Sequence, residues 1–148
     1  MTARLPLASL LLSCAAIAGA YGLAFLPGGA PPLAAWGLAL GSAGALSSTM
    51  ALGAMRTGRL RPIALLACVL TFLVVGGAFA VVLLLPPAEG ASATLVLGLP
   101  LRTAIVLYGV GVVPMLFLPL AYAASFDSDT LNEADIERVR RAAPERTP

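Results

Sequence analysis

Four long runs of apolar residues, separated by short segments rich in proline, glycine and arginine, dominate the chain. The runs cover residues 5–26, 33–55, 62–85 and 99–124, and the shortest has 22 residues. About 20 helical residues cross the ~30 Å hydrocarbon core of a bilayer. In lipid a spanning segment must satisfy its own backbone hydrogen bonds, which favours helix. The pattern therefore predicts an all-α polytopic membrane protein with four transmembrane helices in a bundle.

The first run has a second interpretation. Arg4, the apolar stretch after it and Ala18-Gly19-Ala20 together resemble a secretory signal peptide with its cleavage site. The apolar run continues past this site to Leu26, which gives it spanning length. We therefore expect a retained transmembrane helix, and cleavage as a signal peptide is the alternative.

The chain becomes polar after Phe126, which divides it into a transmembrane domain of residues 1–126 and a tail of residues 127–148. Thr130 and Glu133 have the spacing of a capping box at a helix start. Arginines follow where the helix dipole favours positive charge, at positions 138, 140 and 141. The tail therefore predicts a short cytoplasmic helix over about residues 131–142.

The arginines predict the orientation in the membrane. All nine basic residues are arginine, and seven of them lie before the first run, between the second and third runs, or in the tail helix: Arg4, Arg56, Arg59, Arg61, Arg138, Arg140 and Arg141. Four crossings place these three segments on one side, and cytoplasmic loops carry the excess of Lys and Arg. We expect both termini in the cytoplasm of a bacterium, with the protein in its inner (plasma) membrane.

The amino-acid composition narrows the range of possible functions. Only 11% of the 148 residues are charged and 59% are hydrophobic, with a mean hydropathy of +0.96. The net charge of +2 and the lack of interleaved basic and aromatic residues argue against nucleic-acid binding. The chain has no histidine, no zinc or phosphate-loop motif, and two cysteines, Cys14 and Cys68, inside apolar runs. We therefore expect no metal, no cofactor and no catalytic activity.

Arg102 is the one formal charge inside the four runs. Near the start of the fourth run it can reach the outer headgroups as an interface anchor. Alternatively it binds an anion, a lipid or an acidic residue such as Glu89. It belongs to the candidate contact site for a substrate or partner.

The fourth run also contains a sequence that favours an irregular helix. Pro114 removes one backbone donor and clashes one turn back near Val110, which predicts a kink or local opening. Broken helices of this kind bind ions in transporters, although Gly and Pro are also ordinary in membrane helices. The candidate contact site consists of Arg102, Tyr108, Gly109, Gly111 and Pro114, with Ser47, Ser48, Thr49 and Thr71 as possible hydroxyl partners.

The second run carries a candidate helix-packing face. Gly37, Gly41 and Ala45 are spaced by four residues, and Ser48 continues the stripe. Small residues at this spacing let two helix backbones approach closely in lipid. The contact is made either within the chain or with another subunit.

These features favour two functional hypotheses. The first is a non-catalytic accessory or structural subunit of a larger membrane complex, such as a transporter or respiratory assembly, whose partners are the lipid bilayer and another membrane protein. The second is a small homo-oligomeric transporter or channel with a kinked fourth helix, built from copies of this chain. A free-standing protein that binds lipid near Arg102 is a third hypothesis.

Overall fold

Helices account for most of the described chain in the computed structural model, which describes residues 4–55, 60–86, 95–129, 136, 137, 140 and 141. In chain order the elements are α1 (Arg4–Leu23), α2 (Pro32–Gly53), α3 (Pro62–Leu84), β1 (Leu95–Val96), β2 (Leu99–Pro100), α4 (Leu101–Val106), a π-helix (Leu107–Val112) and α5 (Val113–Asp129). We refer to the π-helix as the π segment, and to α4, the π segment and α5 together as the last helix.

Three helical segments of the described chain are long and apolar enough to cross a membrane: Arg4–Leu23, Pro62–Leu84 and Leu101–Ala123. The protein is therefore a membrane protein by the length and composition of its helices. Helix α2 has 22 residues but contains four glycines, three serines and a threonine, which lower its hydropathy. The predicted fourth crossing, which falls on α2, thus stays a prediction.

Proline and glycine set most of the helix boundaries. Pro32 and Pro62 begin α2 and α3, where the missing N–H has no intrahelical partner to lose. After α1 the backbone continues in tighter turns, with N–H groups of residues 24–26 bonding three residues back. Gly28 and Gly29 then take φ values of 109° and 93°, which reverse the chain into α2.

A small hairpin precedes the last helix and corrects its predicted start. Leu95 pairs with Pro100 and Val96 with Leu99, in antiparallel register. Leu97 and Gly98 form the connecting turn with φ values of 50° and 81°, and such a two-residue turn matches the twist of the strands. The last helix therefore begins at Leu101, two residues after the expected start at about residue 99, because residues 99 and 100 form the second strand.

The end of the last helix also differs from expectation. α5 continues to Asp129, beyond the predicted end at residue 124, and accommodates Pro119 in its interior. The predicted tail helix and its capping box at Thr130 and Glu133 lie largely outside the described residues. Its four described residues are helical, and Glu137 forms an exposed ion pair with Arg141 at 3.6 Å.

The helices lie in a row in chain order. α2 runs antiparallel to α1, since Gly37 contacts Ala20 while Ser48 contacts Ser9. It runs antiparallel to α3 as well, and α3 contacts the last helix on its other side. In the described chain no Cα atom of α1 lies within 8 Å of one in α3 or the last helix. These contacts describe a row, and the predicted four-helix bundle stays a prediction.

Small residues form the interior of this row. Seven of the nine buried hydrophobic residues of the described chain are alanines, and the other two are Cys68 and Val75. Large side chains lie outside, with Leu12 and Leu84 73% and 75% exposed. Because lipid is as apolar as leucine, nothing drives large apolar side chains inward, and close backbone packing holds the helices together instead.

The α1–α2 contact predicts a specific sensitivity to added methyl groups. We expect Gly41→Ala to lower the free energy of unfolding by about 1–3 kcal/mol, since overpacking costs this much. The new Cβ would lie 2.8 Å from Ile17 Cγ1 and 3.1 Å from the backbone oxygen of Ser13. Steric-trap unfolding in bicelles measures the change.

Gly53→Ala is the matched control on the same helix, because a Cβ there meets nothing within 4 Å. Alanine favours helix over glycine by about 1 kcal/mol, so this variant should be unchanged or slightly more stable. Equal destabilisation by both substitutions would contradict close packing at Gly41.

Candidate functional site

The stripe of small residues on α2 lies against α1 along most of its length. A Cβ at Gly37 would lie 3.0 Å from the Cβ of Ala20, and one at Gly44 would lie against the hydroxyl of Ser13. Gly41 makes the closest approach to backbone, at Ser13. The structure thus places Gly37 and Gly41 at a contact within the chain, while Ala45 is only half-buried.

Two serine hydroxyls of α2 bond in opposite directions across the row. Ser48 Oγ donates to Ser9 Oγ of α1 at 2.9 Å. Ser47 Oγ donates to the backbone oxygen of Cys68 in α3 at 2.7 Å. Neighbouring residues of α2 thus connect it to both adjacent helices, as hydroxyl groups commonly do between membrane helices.

The two threonines of the candidate hydroxyl set bond within their own helices. Thr49 Oγ1 is exposed and donates to the carbonyls of Ala45 and Leu46. Thr71 is fully buried in α3, and its Oγ1 donates to Ala67 O at 2.8 Å. Both side chains therefore satisfy their donors locally, and neither joins the serine contacts.

Arg102 binds the end of α3. Its Nη2 donates to the backbone oxygen of Leu85, the residue that caps the helix C-terminus. A cation there satisfies an otherwise unpaired carbonyl and lies at the negative end of the helix dipole. Its Nε is buried without a hydrogen-bond partner in the described structure. Glu89, the suggested acidic mate, lies outside the described residues.

The last helix departs from α geometry where Pro114 requires it. Val113 N–H bonds to Tyr108 O, five residues back, and the π segment ends there. Proline at 114 cannot donate to the carbonyl of Val110, so a wider turn upstream relieves the missing bond and the clash. The π segment lies at the position where the sequence predicted a local opening.

The two glycines of the π segment face different surroundings. A Cβ at Gly109 would lie 2.7 Å from the Cβ of Ala78, so this glycine allows α3 and the π segment to touch. Gly111 meets nothing within 4 Å. Tyr108 is half-buried and Pro114 is buried.

The candidate contact residues are therefore spread along the last helix. Arg102 reaches α3 at Leu85 and Gly109 reaches it at Ala78, seven residues apart, or about 10 Å along the helix. Gly111 does not share this contact. Arg102 and Gly109 act as packing and capping groups against α3, and the described geometry does not gather the five residues around one point.

Sequence reasoning missed two partners at these contacts. Ser9 was not recognised as the partner of Ser48, although Ser9 and Ser13 repeat at spacing four on α1, the small-residue signal noted on α2. The carbonyl of Leu85 carries no sequence signal, since every residue has a carbonyl and only the tertiary structure brings Arg102 to this one.

No protein-family model, curated protein or solved structure matches this chain. The function is therefore inferred from the geometry of the chain itself.

The capping contact of Arg102 is testable by removing the guanidinium. We expect Arg102→Gln to lower the free energy of unfolding by about 1.5–3 kcal/mol, the usual contribution of a hydrogen bond to a charged group. Arg140→Gln, which changes an exposed arginine in the tail, is the control. If the two variants unfolded alike in bicelles, the cap would contribute nothing to stability.

Proposed function

We propose that the chain is a four-span inner-membrane protein with both ends in the cytoplasm, and that it serves as a non-catalytic accessory or structural subunit of a larger membrane complex. The observation that carries this proposal is the use of its small and hydroxyl residues. Ser47, Ser48, Gly41 and Gly109 all contact a neighbouring helix of the same chain. Residues that a transporter would turn towards a substrate hold helices together here.

The position of α2 supports a fourth crossing. Its 22 residues extend about 33 Å, which matches the hydrocarbon thickness. It contacts α1 from Gly37 to Ser48 and contacts α3 on the other side. The helices on either side bury Gly41, Gly44 and Ser48. We infer that α2 can therefore cross with a lower hydropathy than a helix surrounded by lipid needs.

The large lateral surface of the helix row supports the proposal that another membrane protein packs against it. A row in which the Cα atoms of α1 stay more than 8 Å from those of α3 and the last helix exposes more of its faces to the membrane than a closed bundle does. A chain with this shape presents a large lateral surface for its size. The short hairpin, with Leu97 82% exposed at its tip, adds an apolar projection at one end of the row.

A homo-oligomeric transporter or channel is the second candidate, and the π segment favours it. Single-turn π segments in helices occur often at functional sites. Gly111 in this segment lies open. In this alternative, copies of the chain assemble around a path that passes the π segment at Gly111 and Pro114.

The fourth crossing predicts which loops share a side of the membrane. In a Cys14→Ala/Cys68→Ala background, Ala30→Cys and Pro86→Cys should both react with an impermeant maleimide added outside intact cells. Both positions are exposed, one before α2 and the other after α3. Arg141→Cys should react only after the membrane is opened. Labelling of Ala30→Cys and Pro86→Cys from opposite sides would mean that α2 does not cross.

The subunit proposal predicts a fixed partner. Gentle extraction of the tagged protein from its native membrane, followed by mass spectrometry of the intact species, should give one larger membrane protein at constant stoichiometry. A homo-oligomer alone would overturn the subunit proposal and favour the transporter. Flux in reconstituted vesicles, lost in Pro114→Ala, would then support the second candidate.

A further inference from the structure

A groove of about 250 Å³ lies over α2 between α1 and α3. Its lining includes Leu5, Ser9, Ser48, Ala51, Leu65 and Val69. It is left because the Cα atoms of α1 and α3 stay more than 8 Å apart, while α2 presents the small residues Ser47, Ser48 and Ala51 between them. The groove lies towards the end of the row where α1 and α3 begin, since its lining residues in these two helices fall within the first eight residues of each.

The floor of the groove is compatible with an apolar occupant. Ser48 donates its hydroxyl proton to Ser9, and Ser47, also in the lining, donates to the backbone of Cys68. A hydrocarbon chain can cover these two hydroxyl groups without breaking the hydrogen bonds that they donate within the protein. Burial of a polar group is costly only when its hydrogen bond is lost.

Two arginines adjoin lining residues of the groove in the sequence. Arg4 directly precedes Leu5 of the lining, and Arg61 directly follows Leu60, which also lines the groove. Both arginines are exposed. The first turns of α1 and α3 contain no acidic residue, and at this level the positive dipole ends of two helices face the single negative end of α2.

We propose that this groove is a binding site for an anionic phospholipid, with one acyl chain along α2 and the phosphate at Arg4 and Arg61. The combination of an apolar groove with a basic mouth matches the two chemical parts of such a lipid. The inference goes beyond the proposed function and does not depend on it.

The first test concerns the headgroup. Delipidated protein is titrated with phosphatidylglycerol or with phosphatidylcholine of the same chains, and bound lipid is counted by native mass spectrometry. We expect the wild type to bind phosphatidylglycerol at least fivefold more tightly. Arg4→Gln/Arg61→Gln should reduce this preference below twofold, because it removes both charges at the mouth.

The control for the headgroup test removes two arginines elsewhere. Arg140→Gln/Arg141→Gln changes the net charge equally but alters two exposed tail residues, and it should keep the preference. If the tail variant lost the preference and the mouth variant kept it, the headgroup site would be overturned.

The second test concerns the acyl chain. Val69→Trp should fill the groove and weaken binding of both lipids at least fivefold. Val81→Trp is the matched control on the same helix, since Val69 and Val81 are 45% and 47% exposed and Val81 does not line the groove. Thermal unfolding of each variant shows whether the fold is kept.

Glycerol phosphate, which has the headgroup chemistry without the chains, separates a lipid from a free phosphate. It should not displace phosphatidylglycerol at millimolar concentration. Unchanged lipid binding in a folded Val69→Trp variant, or displacement by glycerol phosphate, would overturn the proposal.

Discussion

The close approach of the α2 backbone to its neighbours is the constraint on which the rest of this structure depends. At Gly41 and Gly44 even one methyl group would collide with α1. In lipid no hydrophobic force brings helices together, so contact depends on van der Waals packing and a few hydrogen bonds. The paired serines Ser47 and Ser48 add such bonds on either side of α2. α2 thereby holds both of its neighbours, α1 and α3.

This way of packing has a consequence for the surfaces of the protein. A helix covered by small side chains holds its neighbours close to itself but keeps them apart from each other, because α1 and α3 flank α2 on different sides. The space left between them becomes the groove that Leu5, Ala51 and Val69 line. The features that stabilise the row thus also create the candidate lipid site and leave lateral faces on which the proposed partner subunit could pack.

The last helix differs from α2 in that it contains irregular backbone, which neighbouring residues of the same helix accommodate. Pro114 is matched by a π segment one turn upstream, and Gly109 in that segment still allows contact with Ala78 of α3. At the start of this helix, directly after the hairpin, Arg102 binds the carbonyl of Leu85. Two contacts about 10 Å apart therefore fix the last helix on α3.

The sequence by itself determined the apolar spans, the proline starts of α2 and α3 and the place of the opening near Pro114, because each depends on local composition or on the lost donor of proline. The sequence also indicated the small-residue stripe of α2. It did not indicate which helix packs against the stripe, since Gly37 and Gly41 allow any helix to approach closely. Only the tertiary structure decided that α1 is that partner, that Arg102 caps α3, and that residues 95–100 form a hairpin. These outcomes depend on which distant backbone groups come together, and apolar segments encode such pairings weakly because many pairings of small residues are nearly equal in energy.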